Sequence, residues 1–112
     1  MKLNEKQEEW LAALESGEYE QTQESEMVSR DGRYCCLAVA CKLAGMKDEE
    51  IGGADLNSHP TIRDSLNLID GGGDAIEGYS LMSLNDEHCK TFPEIAAIVR
   101  ANPEAYFKQE ST

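Results

Sequence analysis

Basic residues are scarce in this sequence, and so are long apolar runs. Its 10 lysines and arginines face 22 aspartates and glutamates, for a formal charge of -12 at pH 7. Such a surplus repels phosphate, which argues against direct binding of nucleic acid or of an anionic membrane. No run approaches the roughly 20 apolar residues that a spanning helix needs. MKLNEKQEEW at the start has no apolar segment of the kind a secretory signal carries. The expected setting is a reducing cytoplasm, and four cysteines with two of them adjacent make a poor disulfide framework.

Several chemical signatures are missing too. Neither GxxxxGK(S/T) nor GxGxxG occurs, and Asp70 and Asp74 flank the glycine triplet, so no phosphate loop is expected. Gly52, Gly53 and Asp55 lack the alternating oxygen ligands and closing glutamate of a calcium loop. No cofactor is implied. No repeat, low-complexity tract or linker divides the chain, so 1–112 reads as a single domain. Within it, 70–75 reads as a flexible glycine-rich loop and 108–112 as a frayed C-terminus.

What is present centres on RYCCLAVACKLAG, 33–45, where Lys42 is the only charge between Cys35 and Ala44. A helix here would be apolar around most of its circumference and belongs in a core. A short apolar run also fits a buried strand, but three alanines and two leucines favour helix. Gly45 is placed for a left-handed cap. Cys35, Cys36 and Cys41 lie at poor spacings for metal ligands on one helix face, and Asp86, His88 and Cys89 crowd within four residues, so no metal site is assigned.

Amphipathic patterns surround that stretch. Asn4 and Gln7 form a capping box before an inward stripe of Trp10, Leu11 and Leu14. Ser58 or His59, then Pro60, opens a short helix with Ile62 and Leu66 inside. The segment 76–84 alternates only in part and leaves room for a hairpin through Glu77 and Gly78. Thr91 and Glu94 make a second capping box before Ile95, Ala96, Ile98 and Val99, and Asn102-Pro103 starts a last turn that buries Tyr106 or Phe107. The fold class expected is mainly α, a compact bundle of about five short helices with a small β-hairpin as its optional addition. Trp10, Leu14, Tyr34, Cys36, Leu37, Leu84, Phe92 and Ile95 are its expected core.

The segments WLAALESGEYEQ at 10–21, DGRYCCLAVACKLAG at 31–45 and LMSLNDEHCKTFPEIAAIVRANPEAYF at 81–107 resemble a group of small bacteriophage and prophage proteins with no established activity. The characteristic positions are Trp10, Ser16, Gly17, Tyr19, Gln21, Tyr34, Cys35, Cys36, Leu37, Leu84, Asn85, Asp86, Phe92, Ile95 and Ala96. Ala38 and Cys89 stand where glycine is common in that group. The resemblance implies phage origin and a bacterial host cytoplasm, without implying chemistry.

Three functions follow as expectations. The first is noncatalytic binding of a host or phage protein, a basic one by charge, through Glu8, Glu9, Glu15, Asp48, Glu49 and Glu50. A structural or assembly role, with self-association, is a further expectation. The second is an acidic nucleic-acid mimic that inhibits a host defence protein, with the glutamates between Glu5 and Glu26 as its line of charge. The third is a cysteine-dependent hydrolase or transferase. There Cys35 or Cys36 would gain thiolate character from a helix N-terminus, with His59 or His88 as base. The balance favours a protein without catalysis, because such residues occur by chance in most chains of this size.

Overall fold

The structure, a computed structural model, describes residues 2–23, 27–51, 56–74 and 79–108. Helix α1 (Glu5–Ser16) starts at the expected capping box. The Asn4 side chain accepts from the Gln7 N–H at 2.8 Å, and the Gln7 side chain accepts from the Asn4 N–H at 2.8 Å. Gly17, at φ 79°, ends it. Gln7, Trp10, Leu11 and Leu14 recur at spacings of three and four and are all buried. Gln7 is the polar member of that face. Its Nε2 donates to the Leu66 carbonyl at 2.9 Å, which compensates its removal from water.

Helix α2 (Cys36–Leu43) occupies the centre, with every side chain from Cys36 to Cys41 buried. Its end is a Schellman turn: the Gly45 N–H donates to the Lys42 carbonyl at 3.0 Å and the Met46 N–H to the Cys41 carbonyl at 3.1 Å, with Gly45 at φ 90°. Ahead of α2 the chain is extended. The Tyr34 N–H donates to Glu20 O at 2.8 Å, Tyr34 O accepts from the Thr22 N–H at 2.8 Å, and the Cys35 N–H donates to Met27 O at 2.9 Å. These contacts form isolated bridges, and no sheet forms among the described residues.

Single 3₁₀ turns at Asp48–Glu50 and Leu56–Ser58 lead into α3 (Pro60–Ser65), followed by α4 (Leu81–Asp86), α5 (Phe92–Ala101) and α6 (Pro103–Tyr106). The fold is thus mainly α, as expected, and its radius of gyration of 12.6 Å is that of a compact chain. Helix α1 packs chiefly on α5 and on α2, α2 on α4, and α4 and α6 on α5. Trp10 sits where these surfaces meet. Its Nε1 donates to the Cys36 carbonyl at 2.9 Å and its ring meets Phe107 edge-on, centroids 6.3 Å apart. Of the expected core residues only Tyr34 is half-buried.

One local expectation needs correction. Where a hairpin's second strand was open, Leu81–Asp86 is helix, capped by Ser80, whose side chain accepts from the Ser83 N–H at 3.1 Å. The adjacent Leu81 and Met82 that break the alternation suit a helix, in which Leu81, Leu84 and Asn85 share the buried face. Glu77 and Gly78, like 52–55 and 109–112, lie outside the described residues.

The described part of the glycine segment, 70–74, is hydrogen-bonded and partly buried, and residue 75 lies outside the described residues. Asp70 Oδ1 accepts from the N–H groups of Gly72 and Asp74, both at 2.9 Å, while Gly71 O accepts from the Leu56 N–H at 2.7 Å and Gly73 O from the Leu81 N–H at 2.8 Å. The glycines are required because backbone and side chains approach too closely for a Cβ at Gly71 and Gly73. Lys108 is the last described residue. Its N–H donates to Asn67 O at 2.7 Å, beside the Leu68–Phe107 bridge.

Candidate functional site

A cleft of about 230 Å³ opens where α1, the end of α2 and α3 meet. Its inner wall is apolar, formed by Ala40, Leu43, Ile62 and Leu66 over Trp10. Trp10 itself has no exposure, so an occupant would rest on the aliphatic layer above the indole. The mouth carries Lys6, Glu9, Ala44, Thr61 and Ser65, all exposed. This is the usual chemistry of a binding pocket, an apolar interior with polar groups at the edge. None of the mouth residues but Glu9 was singled out from the sequence. Helical periodicity marks which face is buried, whereas a concavity needs three helices placed in space.

The acidic candidates fall into two classes. Arg100 on α5 holds Glu15 with two bonds, Nε to Oε2 at 3.0 Å and Nη2 to Oε1 at 2.9 Å, and reaches Glu8 with Nη1 at 2.9 Å. The bond from Arg100 lowers the Glu15 pKa. Asp48 accepts from Lys42 Nζ at 2.8 Å and from the Tyr34 hydroxyl at 2.8 and 2.9 Å, with Lys42 as the larger cause of its lowered pKa. Burial, aided by Asp48, raises the Tyr34 phenol. Glu8, Glu15 and Asp48 are therefore committed within the fold. Glu9 and Glu49 are exposed, and Glu50 accepts from the Lys47 N–H at 2.8 Å.

The thiol candidates are poorly placed for attack. Cys35 caps α2, and the N–H groups of Ala38 and Leu37 favour its thiolate as a helix N-terminus should. Burial opposes them and wins, raising the Cys35 thiol to about 11. Burial pushes Cys36 well above its ordinary value, and its Sγ donates to the Leu81 carbonyl at 3.8 Å. Cys41 is raised to about 11 by burial as well. His59 stands at the N-cap of α3, and the His88 ring packs 3.9 Å from that of Tyr79. The described residues contain no group of three or more His, Cys, Asp or Glu placed to hold a metal.

A polar knot ties the loop after α1 to the α4–α5 corner. Gln21 Nε2 donates to Asn85 Oδ1 at 2.8 Å and to Lys90 O at 2.7 Å, while its Oε1 accepts from the Phe92 N–H at 3.1 Å. Asn85, fully buried, donates to Thr22 O and to Asp86 Oδ1, each at 2.8 Å. Burial raises the Asp86 carboxyl despite that bond. The amides of Gln21 and Asn85 are both spent on other parts of the chain, so the knot holds elements together.

Residues 1–57 match the family described as Domain of unknown function (DUF8296). The chain belongs to that family. No curated protein and no solved structure matches it. The DUF8296 match takes in α1 and α2, two walls of the cleft, and ends before α3, the third.

Proposed function

We propose that the protein binds a basic protein through its acidic exterior and performs no catalysis of its own. The supporting observation is where its cations are spent. Arg33, Lys42, Arg63 and Arg100 each lie within 3.1 Å of a carboxylate of the same chain. The surplus is then carried by exposed side chains such as Glu5, Glu9, Glu18, Glu20 and Glu49. A surface of that kind steers a basic partner and accelerates encounter. The buried, high-pKa thiols weigh against the cysteine hydrolase. The resemblance to phage and prophage proteins makes the bacterial cytoplasm the setting, and a host or phage protein the partner.

Capture by the tagged protein from nuclease-treated bacterial lysate, eluted through a salt gradient, tests this reading. One stoichiometric basic partner that leaves as salt rises supports it, because screening weakens surface charge pairs. Retention of nothing that salt releases refutes it. Displacement of that partner by DNA would identify the special case of a nucleic-acid mimic.

A further inference from the structure

We propose that the cleft between α1, α2 and α3 is the anchor pocket of this interface, taking one aliphatic or aromatic side chain from a lysine- or arginine-bearing segment of the partner protein. This deepens the reading of the chain as a protein binder and rests on it.

The size of the cleft selects the kind of occupant. About 230 Å³ is below the roughly 300–1,000 Å³ of pockets that enclose a drug-sized ligand. It suits a single large side chain, and interfaces concentrate their affinity in a few such anchors seated in desolvated pockets. The wall chemistry agrees. Ala40, Leu43, Ile62 and Leu66 offer no charge to a polar ligand, while the Thr61 and Ser65 side chains stand only at the mouth.

The edge selects the flanking charge. Glu9 lines the mouth, and Glu5, one turn earlier on the same face of α1, is exposed beside it. Lys6 is the one cation lining the cleft, so this edge of α1 is net negative, as is the molecule at -12. A side chain entering here brings its neighbours over Glu5 and Glu9, where lysine or arginine is favoured and aspartate or glutamate is opposed. A second copy of the chain is a poor occupant. It carries the same -12, and among the described residues Tyr79, 59% exposed, is its only exposed large hydrophobic side chain.

Three capped heptapeptides serve as probes of the full-length protein: a central leucine flanked by two lysines, the same with alanine at the centre, and the leucine peptide with glutamates replacing both lysines. Amide and indole N–H resonances are followed by NMR, Trp10 being the single tryptophan. The leucine–lysine peptide is expected to give saturable shifts at Leu43, Ala44, Ile62, Ser65 and the Trp10 indole. The alanine and glutamate peptides should bind about tenfold more weakly or worse. Ala44→Phe and Thr61→Phe, at exposed mouth positions, should fill the cleft and remove binding, whereas Ala97→Phe on α5 should leave it intact. Shifts spread over the whole surface, or equal for leucine and alanine, overturn the inference.

Lysate capture with the same variants separates this inference from the reading beneath it. A salt-sensitive basic partner retained equally by Ala44→Phe removes the cleft from the interface and leaves that reading standing. Peptide binding in the cleft with no partner captured overturns that reading and, with it, the assignment of the cleft to such an interface.

Discussion

Gln21 and Asn85, 64 residues apart in the chain, meet side chain to side chain at 2.8 Å. Each has its remaining groups occupied by backbone atoms or by Asp86, so the bond is the centre of a network that runs from the half-buried Gln21 to the fully buried Asn85. It joins the loop after α1 to the corner between α4 and α5. Their role is to close the fold. Asn85→Ala takes a donor from the buried Thr22 carbonyl and one of two acceptors from the half-buried Gln21 amide, and should cost about 1–3 kcal/mol in urea denaturation. With Gln21→Ala the double mutant should lose much less than the sum of the single losses. Strict additivity would show that the two side chains act independently.

Gly73→Ala tests whether the glycine segment is built or merely slack. A Cβ there would lie 2.5 Å from the Leu81 Cβ, and φ is 71°. The variant should lose about 2 kcal/mol or more. At Gly72 a Cβ would meet Met82 Sδ at 3.4 Å and Asp70 Oδ1 at 3.6 Å, both ordinary contacts, so Gly72→Ala should be far milder. Equal tolerance at both positions would contradict the packing.

Cys89→Gly should stabilise the protein. Cys89 is exposed and adopts φ 51°, a left-handed conformation that costs a side-chain-bearing residue about 1–2 kcal/mol. Part of the gain is offset by the greater freedom of glycine in the unfolded chain, leaving about 0.5–1 kcal/mol. A melting temperature that stays level or falls would count against this.

The four thiols should sort by burial. Cys89 should react quickly with a disulfide reagent in the native protein, and Cys35, Cys36 and Cys41 only at the rate of opening. Their raised pKa values also set an alkaline limit. Cys35 and Cys41 titrate near 11 when folded, against 9.0 for an unperturbed thiol. Between those values the unfolded state gives up protons that the native state keeps, so stability is intact below about pH 9 and falls toward pH 11. Flat stability across that window would refute the assignment.

Arg100→Met should cost only about 0.5–1 kcal/mol at low ionic strength, because its bonds to Glu8 and Glu15 lie at the surface. The loss should shrink in high salt. Glu15, held low by Arg100, contributes its share above the ordinary carboxylate range and loses it as pH falls through its lowered native pKa. The wild-type advantage should therefore narrow in acid. An advantage that grows there would reverse the sign of the interaction.

Local chemistry was legible wherever neighbours in sequence are also neighbours in space. The Asn4–Gln7 and Thr91–Glu94 capping boxes, the Gly45 cap and the inward stripe of α1 stand as read, and in α5 Ile95, Ala96 and Val99 are buried while Ile98 is only partly so. The segment 81–86 was harder, since a short apolar run fits either period until Asn85 is known to be buried on the Leu81–Leu84 face. The carboxylates were harder again. Their number was plain, but Glu8 and Glu15 look as available as Glu9 until Arg100 is brought across from α5.

The sequence by itself determined the charge, the helical class and the helix ends, because composition and i to i+4 spacing act through the chain locally. Only the tertiary structure decided the rest. Whether Cys35 is a nucleophile depends on how burial compares with helix-end N–H groups, and burial is a property of the packed whole. The partner of Gln21, the depth of the glycine turn and the cleft over Trp10 arise from segments tens of residues apart. No local pattern encodes such a meeting, since it is fixed by the joint packing of helices that are too short to be stable alone.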